Sequence, residues 1–344
     1  MCEDEINGLI LLGRRDGDFY SPCRKIMEYI KVGESGLKIT EITFGTALTI
    51  GTESDSVEYG QSLLDMAWKL GIRSFDTSNN YGYGEAERLL GKCLKKYPRH
   101  EYVLATKGAW PVGDGVYERG LSRKHILWAL EESLKKLEVE YVDLYYAHRY
   151  DADVPMSEIV RTFNGLINDG KIRYWATSEW PLEALEECVS YCEKNGYEKP
   201  VCEQFIYSYA VRKAEKNGVK EFCDRNGIGT LGFSPLCQGF LTGKYKNSVP
   251  EDSRIAKSDK LDYHKTINFY TQNKQSIDYF LCICEENQVE PVAVALQWCL
   301  RRRIYPVLGA SKSEQLEKNI KCLEQKIPEN VWEALEGITE GEGK

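Results

Sequence analysis

The segments that decide the fold are Phe75-Asp76-Thr77-Ser78, Ala105-Thr106-Lys107-Gly108 and Tyr145-Tyr146-Ala147-His148-Arg149. Each belongs to an apolar, β-like run that closes at a residue able to carry or steer a proton, namely Asp76, Lys107 or His148. In a parallel barrel, the carboxyl ends of all the strands line one mouth. We therefore expect these three side chains to converge at one end of a barrel.

The chain around these segments alternates strand-like and helix-like stretches eight times. The predicted strands are 39–45, 74–78, 102–107, 142–149, 172–178, 201–208, 228–236 and 304–309. The main predicted helices are 56–70, 85–96, 122–137, 157–168, 182–194, 275–286, 292–302 and 314–325, with an irregular stretch over 237–270. Eight alternations without hairpin turns predict the α/β class, as a single-domain (β/α)8 TIM barrel.

Residues 27–344 are assigned to this barrel, and residues 1–26 to an N-terminal extension. The apolar part of the extension, residues 9–12, is too short and its flanks are too acidic for a signal peptide. A hairpin before residue 39 is expected over the bottom of the barrel, and a terminal helix is expected over 331–338.

A doubly wound nucleotide-binding sheet is the structural alternative. It normally carries G-x-G-x-x-G after its first strand, whereas Gly45-Thr46-Ala47-Leu48 stands there in this chain. Gly243-Lys244 is followed by Tyr245, so the phosphate-binding loop of P-loop proteins is missing as well. The sequence therefore favours the barrel.

The composition is that of a globular protein with an acidic surface. Of the 344 residues, 42% are hydrophobic, and the formal net charge of −8 argues against a nucleic-acid partner. No apolar run reaches the roughly 20 residues of a membrane-spanning helix, so no membrane insertion is expected. The 12 cysteines form no C-x-x-C pair, and the four histidines show no zinc-ligand spacing. We therefore expect no metal site, and a cytoplasmic protein with mostly buried, reduced cysteines.

Tyr81, just after the segment that ends in Ser78, completes a set that could protonate a carbonyl oxygen. A free tyrosine titrates near ~10, and a lysine beside it would lower that pKa. We expect Lys107 to act on Tyr81 in this way, Asp76 to hold Lys107, and His148 to hydrogen-bond the carbonyl. Reduction also needs a hydride, which a nicotinamide or flavin must supply.

Each of these residues alone has a structural explanation. Asp76 and Lys107 could be a buried ion pair, Tyr81 a loop anchor and His148 a core histidine. Their joint occurrence at successive strand ends favours the catalytic interpretation. A metal-dependent barrel hydrolase is a further alternative, but it would need several strand-end histidines, and His148 is the only one predicted.

The set of Asp76, Tyr81, Lys107 and His148, in this order and spacing, resembles the catalytic tetrad of the aldo-keto reductases. The resemblance extends from about Met27 to Asn319. Gly-Phe-Ser-Pro-Leu at 232–236 and Gly-Ala-Ser at 309–311 are most similar to the branch that contains potassium-channel β subunits and bacterial oxidoreductases. Channel β subunits carry asparagine at the position of His148, so the resemblance favours an enzyme over a pure regulator.

The resemblance implies NADPH as the cofactor, with NADH as the alternative. Ser178 and Gln204 would hold the carboxamide, Phe233 would stack on the nicotinamide, and Lys244 and Arg254 would lie over the phosphates. The implied cofactor-binding set is Gly45, Thr46, Asp76, Ser178, Gln204, Phe233, Ser234, Pro235, Leu236, Gly239, Lys244, Arg254, Gly309, Ser311, Gln315 and Asn319.

The substrate is expected to be a small aromatic or α-oxo carbonyl compound. The predicted pocket residues are Leu48, Tyr81, Trp110, His148, Arg149 and Tyr150, with Trp180 and Tyr207 nearby. Arg149 could pair with a substrate anion or with Asp151 or Asp153. The predicted function is NADPH-dependent reduction of aldehydes or ketones. A redox-sensing subunit that binds the cofactor with little turnover is the alternative, and the resemblance also leaves homo-oligomerisation open.

Overall fold

Eight parallel strands close into a barrel, which confirms the predicted fold class. The computed structural model describes residues 27–47, 49–51, 56–246, 248–251, 253–257 and 260–337, so the predicted extension 1–26 lies outside the described residues. The barrel strands are β3 Thr43–Gly45, β4 Ser74–Asp76, β5 Val103–Gly108, β6 Val142–Ala147, β7 Ile172–Ser178, β8 Cys202–Ile206, β9 Gly229–Phe233 and β10 Ile304–Leu308. They pair in chain order, and β10 closes the barrel on β3.

A two-stranded antiparallel hairpin, β1 Tyr29–Lys31 and β2 Lys38–Thr40, covers the amino-terminal end of the barrel. Its turn packs so closely on the start of β9 that a Cβ at Gly33 would lie 2.2 Å from the carbonyl oxygen of Gly227. The hairpin strand β2 ends at Thr40 and the barrel strand β3 begins at Thr43, so the prediction of one strand over 39–45 is wrong. The chain bends at Glu41 and Ile42, between the hairpin and β3, because the hairpin must turn into the barrel wall.

Helices surround the barrel. They are α1 Val57–Lys69, α2 Glu85–Leu94, α3 Arg123–Leu137, α4 Met156–Asn168, α5 Leu182–Asn195, α6 Lys213–Lys216, α7 Val219–Arg225, α8 Arg254–Lys257, α9 Lys260–Glu286, α10 Pro291–Arg301, α11 Ser313–Lys321 and α12 Glu329–Glu336. The irregular stretch predicted to reach residue 270 is wrong at its end, because α9 begins at Lys260. The first half of α9 is rich in polar residues, which hides the apolar periodicity that predicts a helix.

The main core lies between the barrel wall and the helices. Large aromatic side chains fill it, including Phe163 and Trp175, whose stacked rings have centroids 5.0 Å apart. A second apolar cluster inside the barrel joins Val32, Leu37 and Ile39 of the hairpin region to strand residues, so the barrel is closed at that end. Within the residues described, no helix is both long and apolar enough to cross a bilayer. The catalytic candidates lie at the opposite, open end.

Candidate active site

The four catalytic candidates meet at the carboxyl end of the barrel. Asp76 is the last residue of β4, Lys107 is the second-last of β5, and His148 directly follows β6. Tyr81 begins a short 3-10 turn, Tyr81–Gly84, that follows β4. Parallel strand pairing brings these positions together, as the spacing along the chain predicts.

Asp76 and Lys107 form a fully buried ion pair. Lys107 Nζ donates to Asp76 Oδ1 and, at 2.9 Å, to the carbonyl oxygen of Thr77. Burial acts to lower the pKa of Lys107, but the charges of Asp76 and Tyr81 and their hydrogen bonds outweigh it and raise that pKa. Lys107 is therefore a fixed cation at the base of the site.

The strand that carries Lys107 packs tightly on its neighbour at the glycine that follows Lys107. A Cβ at Gly108 would lie 2.2 Å from Tyr145 Oη, a contact that no side chain could make. The packing of β5 therefore requires glycine at position 108, directly after the catalytic candidate Lys107.

The hydroxyl of Tyr81 faces the ammonium group of Lys107. Lys107 Nζ lies 3.4 Å from Tyr81 Oη, within reach of a weak hydrogen bond. The expectation that Lys107 lowers the pKa of Tyr81 overall is not met, because burial is the larger effect and raises that pKa, while Lys107 acts to lower it. The phenol is therefore protonated at neutral pH, in the state that an acid must have.

His148 is held by a residue that the sequence analysis did not single out. Ser78 Oγ lies 3.1 Å from His148 Nδ1, and Nε2 has no hydrogen bond within the part of the chain that is described. Burial, together with the charges of Lys107 and Arg149, lowers the pKa of His148 well below its usual range. The imidazole is neutral. Ser78 could have been found from its position, since residues 76 and 78 of an extended segment face the same side.

A cavity of about 640 Å³ opens above these residues. Thirteen of the predicted cofactor-binding residues line it: Gly45, Asp76, Ser178, Gln204, Phe233, Ser234, Pro235, Leu236, Gly239, Lys244, Gly309, Ser311 and Gln315. Thr46 does not line it, because its hydroxyl is fully buried and hydrogen-bonds Thr77 Oγ1 at 2.9 Å. The side chain of Arg254 lies outside the described residues.

The residues of the cavity fit an elongated, polar cofactor. Gln204 Nε2 donates to Asp76 Oδ2 at 3.0 Å at one end, and Gln315 Oε1 accepts from the backbone N–H of Ser311 at 3.0 Å at the other. Asn319, on α11 beyond Gln315, does not reach the cavity surface, but its buried Nδ2 has no partner within the described residues. A buried donor without a partner is a group that a ligand reaching it would satisfy.

The predicted substrate pocket is only partly as expected. Tyr81, Trp110, His148 and Arg149 line the cavity, and Leu48 lies outside the described residues. Tyr150 does not line it, because its ring packs on Trp180 with centroids 5.3 Å apart. Trp180 and Tyr207 are core residues: the Trp180 indole donates to the carbonyl oxygen of Ala147, and the Tyr207 hydroxyl donates to Glu215. Fewer aromatic side chains therefore line this part of the cavity than the sequence predicted.

The expected ion pair of Arg149 with Asp151 or Asp153 is wrong. Asp151 instead accepts the backbone N–H groups of Leu121, at 2.8 Å, and Asp153, at 3.1 Å. These bonds order the loop after β6, and they leave the guanidinium at the cavity wall.

A parallel eightfold barrel with an Asp, Tyr, Lys and His set at its mouth defines a class of oxidoreductases. Residues 41–340 match the family described as Aldo/keto reductase family, and the chain belongs to it. It is also similar to a Schizosaccharomyces pombe protein named "Putative voltage-gated potassium channel subunit beta", with 38% identity over 300 residues, 85% of this chain and 87% of that protein. Members of the family are oxidoreductases of small carbonyl compounds and bind a nicotinamide cofactor.

Proposed function

We propose that the chain reduces an aldehyde or ketone to an alcohol with NADPH. The observation that carries the proposal is the buried Asp76–Lys107 pair beneath a protonated Tyr81, next to a neutral His148. Bound nicotinamide would supply a hydride to the carbonyl carbon. The residues of the chain would bind, orient and protonate the substrate.

Tyr81 would donate its proton to the carbonyl oxygen as charge develops there. Lys107, 3.4 Å from the phenol oxygen, stabilises the phenolate that remains. His148, through Nε2, would share the same carbonyl oxygen and fix its direction. Preorganised donors of this kind stabilise the developing negative charge without reorganisation.

The cofactor would lie along the cavity with its nicotinamide end at Ser178, Gln204 and Phe233. Lys244 at the cavity edge would face its phosphates, and Ser311 and Gln315, at the start of α11, would face the adenosine end. The unpaired N–H groups of a helix start favour an anion at that end.

The direct test is stopped-flow oxidation of protein-bound NADPH by a panel of aldehydes. We expect substrate to accelerate the oxidation well above the rate without aldehyde. Oxidation over minutes at one rate, whichever aldehyde is added, would refute the reductase proposal.

The similarity to a protein named as a channel β subunit supports a second candidate. The chain would then be a redox-sensing subunit that holds the cofactor and turns over little. The same stopped-flow experiment decides between the two, because only the reductase requires a substrate-dependent rate. His148 favours the reductase, since a neutral, cavity-facing imidazole suits carbonyl binding.

NADPH should bind more tightly than NADH, because the 2′-phosphate carries nearly two negative charges and would lie at the adenosine end, beside the Ser311 hydroxyl and the start of α11. Lys244→Met should weaken NADPH binding about 10- to 100-fold, in line with roughly 1.5–3 kcal/mol for a charged hydrogen bond. Fluorescence titration at low salt measures both dissociation constants.

Lys246→Met is the matched control, since Lys246 lies two residues away and pairs with Glu285 instead of lining the cavity. Equal dissociation constants for NADPH and NADH in the wild type would contradict the cofactor preference. An equal effect of the two lysine substitutions would contradict the role of Lys244.

A further inference from the structure

Arg149 is a half-buried cation in the wall of the substrate end of the cavity. Its Nη1 donates to the carbonyl oxygen of His148 at 2.6 Å and lies 3.3 Å from Ser178 Oγ. Its Cζ lies 5.2 Å from the centroid of the Trp110 ring. The guanidinium is therefore fixed next to the residue proposed to hold the carbonyl oxygen.

No carboxylate of the described residues forms an ion pair with this guanidinium. Asp151, two residues on, is engaged by backbone N–H groups, and Glu179 accepts from the backbone N–H of Ile206. Glu179 and Glu203 act on Arg149 only through their longer-range charges. Charged side chains removed from water are normally paired, so a half-buried arginine that faces a cavity without a carboxylate needs another explanation.

The hydrogen bonds of Arg149 use only some of the N–H donors of its guanidinium. A guanidinium carries five N–H donors, and the two contacts above involve only Nη1. The remaining edge can take both oxygens of one carboxylate, an arrangement that a lysine cannot reproduce. Trp110, 40% exposed, lines the cavity near this guanidinium and suits the body of an aromatic or α-oxo compound.

We infer that Arg149 is the anion-binding residue of the substrate pocket and that the substrate is a carbonyl compound bearing a carboxylate. The inference rests on the proposed reductase function, which supplies the carbonyl. Because Arg149 follows His148 directly, the carboxylate and the carbonyl belong to one small molecule. Trp110 packs against the part that joins them.

In a rival explanation, Arg149 binds the cofactor, because it contacts Ser178. The two explanations predict different effects on binding and turnover when the positive charge of Arg149 is removed. A substrate-anion site affects only anionic substrates, whereas a cofactor contact affects NADPH binding and every substrate together.

The test compares two aldehydes of one shape, 4-carboxybenzaldehyde and 4-carbamoylbenzaldehyde, in wild type, Arg149→Met and Arg149→Lys. The readout is the ratio of kcat/KM for the carboxylate over the amide, so effects common to both aldehydes cancel. We expect the ratio to fall 10- to 100-fold in Arg149→Met and to recover in part in Arg149→Lys. An unchanged ratio, or a loss that appears as weaker NADPH binding for both aldehydes, would overturn the inference.

A binding measurement keeps the two proposals separable. Benzoate and benzamide are titrated into the protein–NADPH complex by calorimetry, which requires no turnover. Tighter binding of benzoate that disappears in Arg149→Met supports the anion site, even if both aldehydes leave NADPH unoxidised and the reductase proposal fails. Equal binding of benzoate and benzamide by the wild type would overturn the anion site, even if both aldehydes are reduced.

Discussion

Tyr81→Phe should lower the rate of aldehyde reduction by about 10²–10⁴-fold, the usual contribution of a general acid. The change removes one oxygen, whose hydrogen bond from Lys107 is long at 3.4 Å, so folding and NADPH binding should be nearly unaffected. Single-turnover oxidation of bound NADPH by a good aldehyde measures the effect on chemistry, and fluorescence titration measures the effect on cofactor binding.

Tyr83→Phe is the matched control, because Tyr83 lies in the same turn but is 95% exposed. Wild-type turnover in Tyr81→Phe would show that another group supplies the proton.

The pH profile of the reduction rate gives a second check on Tyr81. Burial raises the pKa of Tyr81, so the protonated acid persists through neutral pH, and the reduction rate should fall only in the alkaline range above the ordinary value near ~10. A decline between pH 6 and 8 would contradict Tyr81 as the acid.

The fold was predictable from the sequence because the period of its apolar pattern is regular. Most barrel strands are short, buried runs bounded by turn residues, and longer helices such as α1, α3 and α4 have clear apolar faces. The failures are local. Lys38–Thr40 and Thr43–Gly45 belong to one β-like run in the sequence, and only the tertiary position of the hairpin divides it. The polar first half of α9 gives no periodic signal.

The positions of site residues at strand ends could be predicted from the sequence, whereas the contacts of site residues in loops could not. Asp76, Lys107 and His148 could be placed together because parallel strands end at one mouth. The partner of Arg149 could not be chosen, since loop contacts decide it: the Asp151 carboxylate bonds to the backbone N–H of Leu121, distant in sequence. The pKa of Tyr81 also depends on burial, which the sequence does not give.

Lys107→Met should destabilise the fold by about 3–5 kcal/mol, the usual cost of leaving one member of a buried ion pair alone. Both side chains are almost fully buried, and Asp76 would keep only its hydrogen bond from Gln204. The free energy of unfolding, from urea denaturation without cofactor, measures the loss. Lys135→Met is the control, since Lys135 is a largely exposed partner of Glu132 and such pairs contribute about 0–1 kcal/mol.

The double variant Asp76→Asn/Lys107→Met separates the charge from the packing. If the cost of Lys107→Met comes from the uncompensated carboxylate, the double variant should regain a good part of the lost stability. The pH dependence has a defined sign. The folded-state pKa of Lys107 is raised above its ordinary 10.5, so the stability that this group contributes is complete below that value and is lost as the pH rises through the raised pKa. A deficit in Lys107→Met that matches Lys135→Met at neutral pH would show that the pair does not hold the site together, and Lys107 would then lose its proposed role as the fixed cation beneath Tyr81.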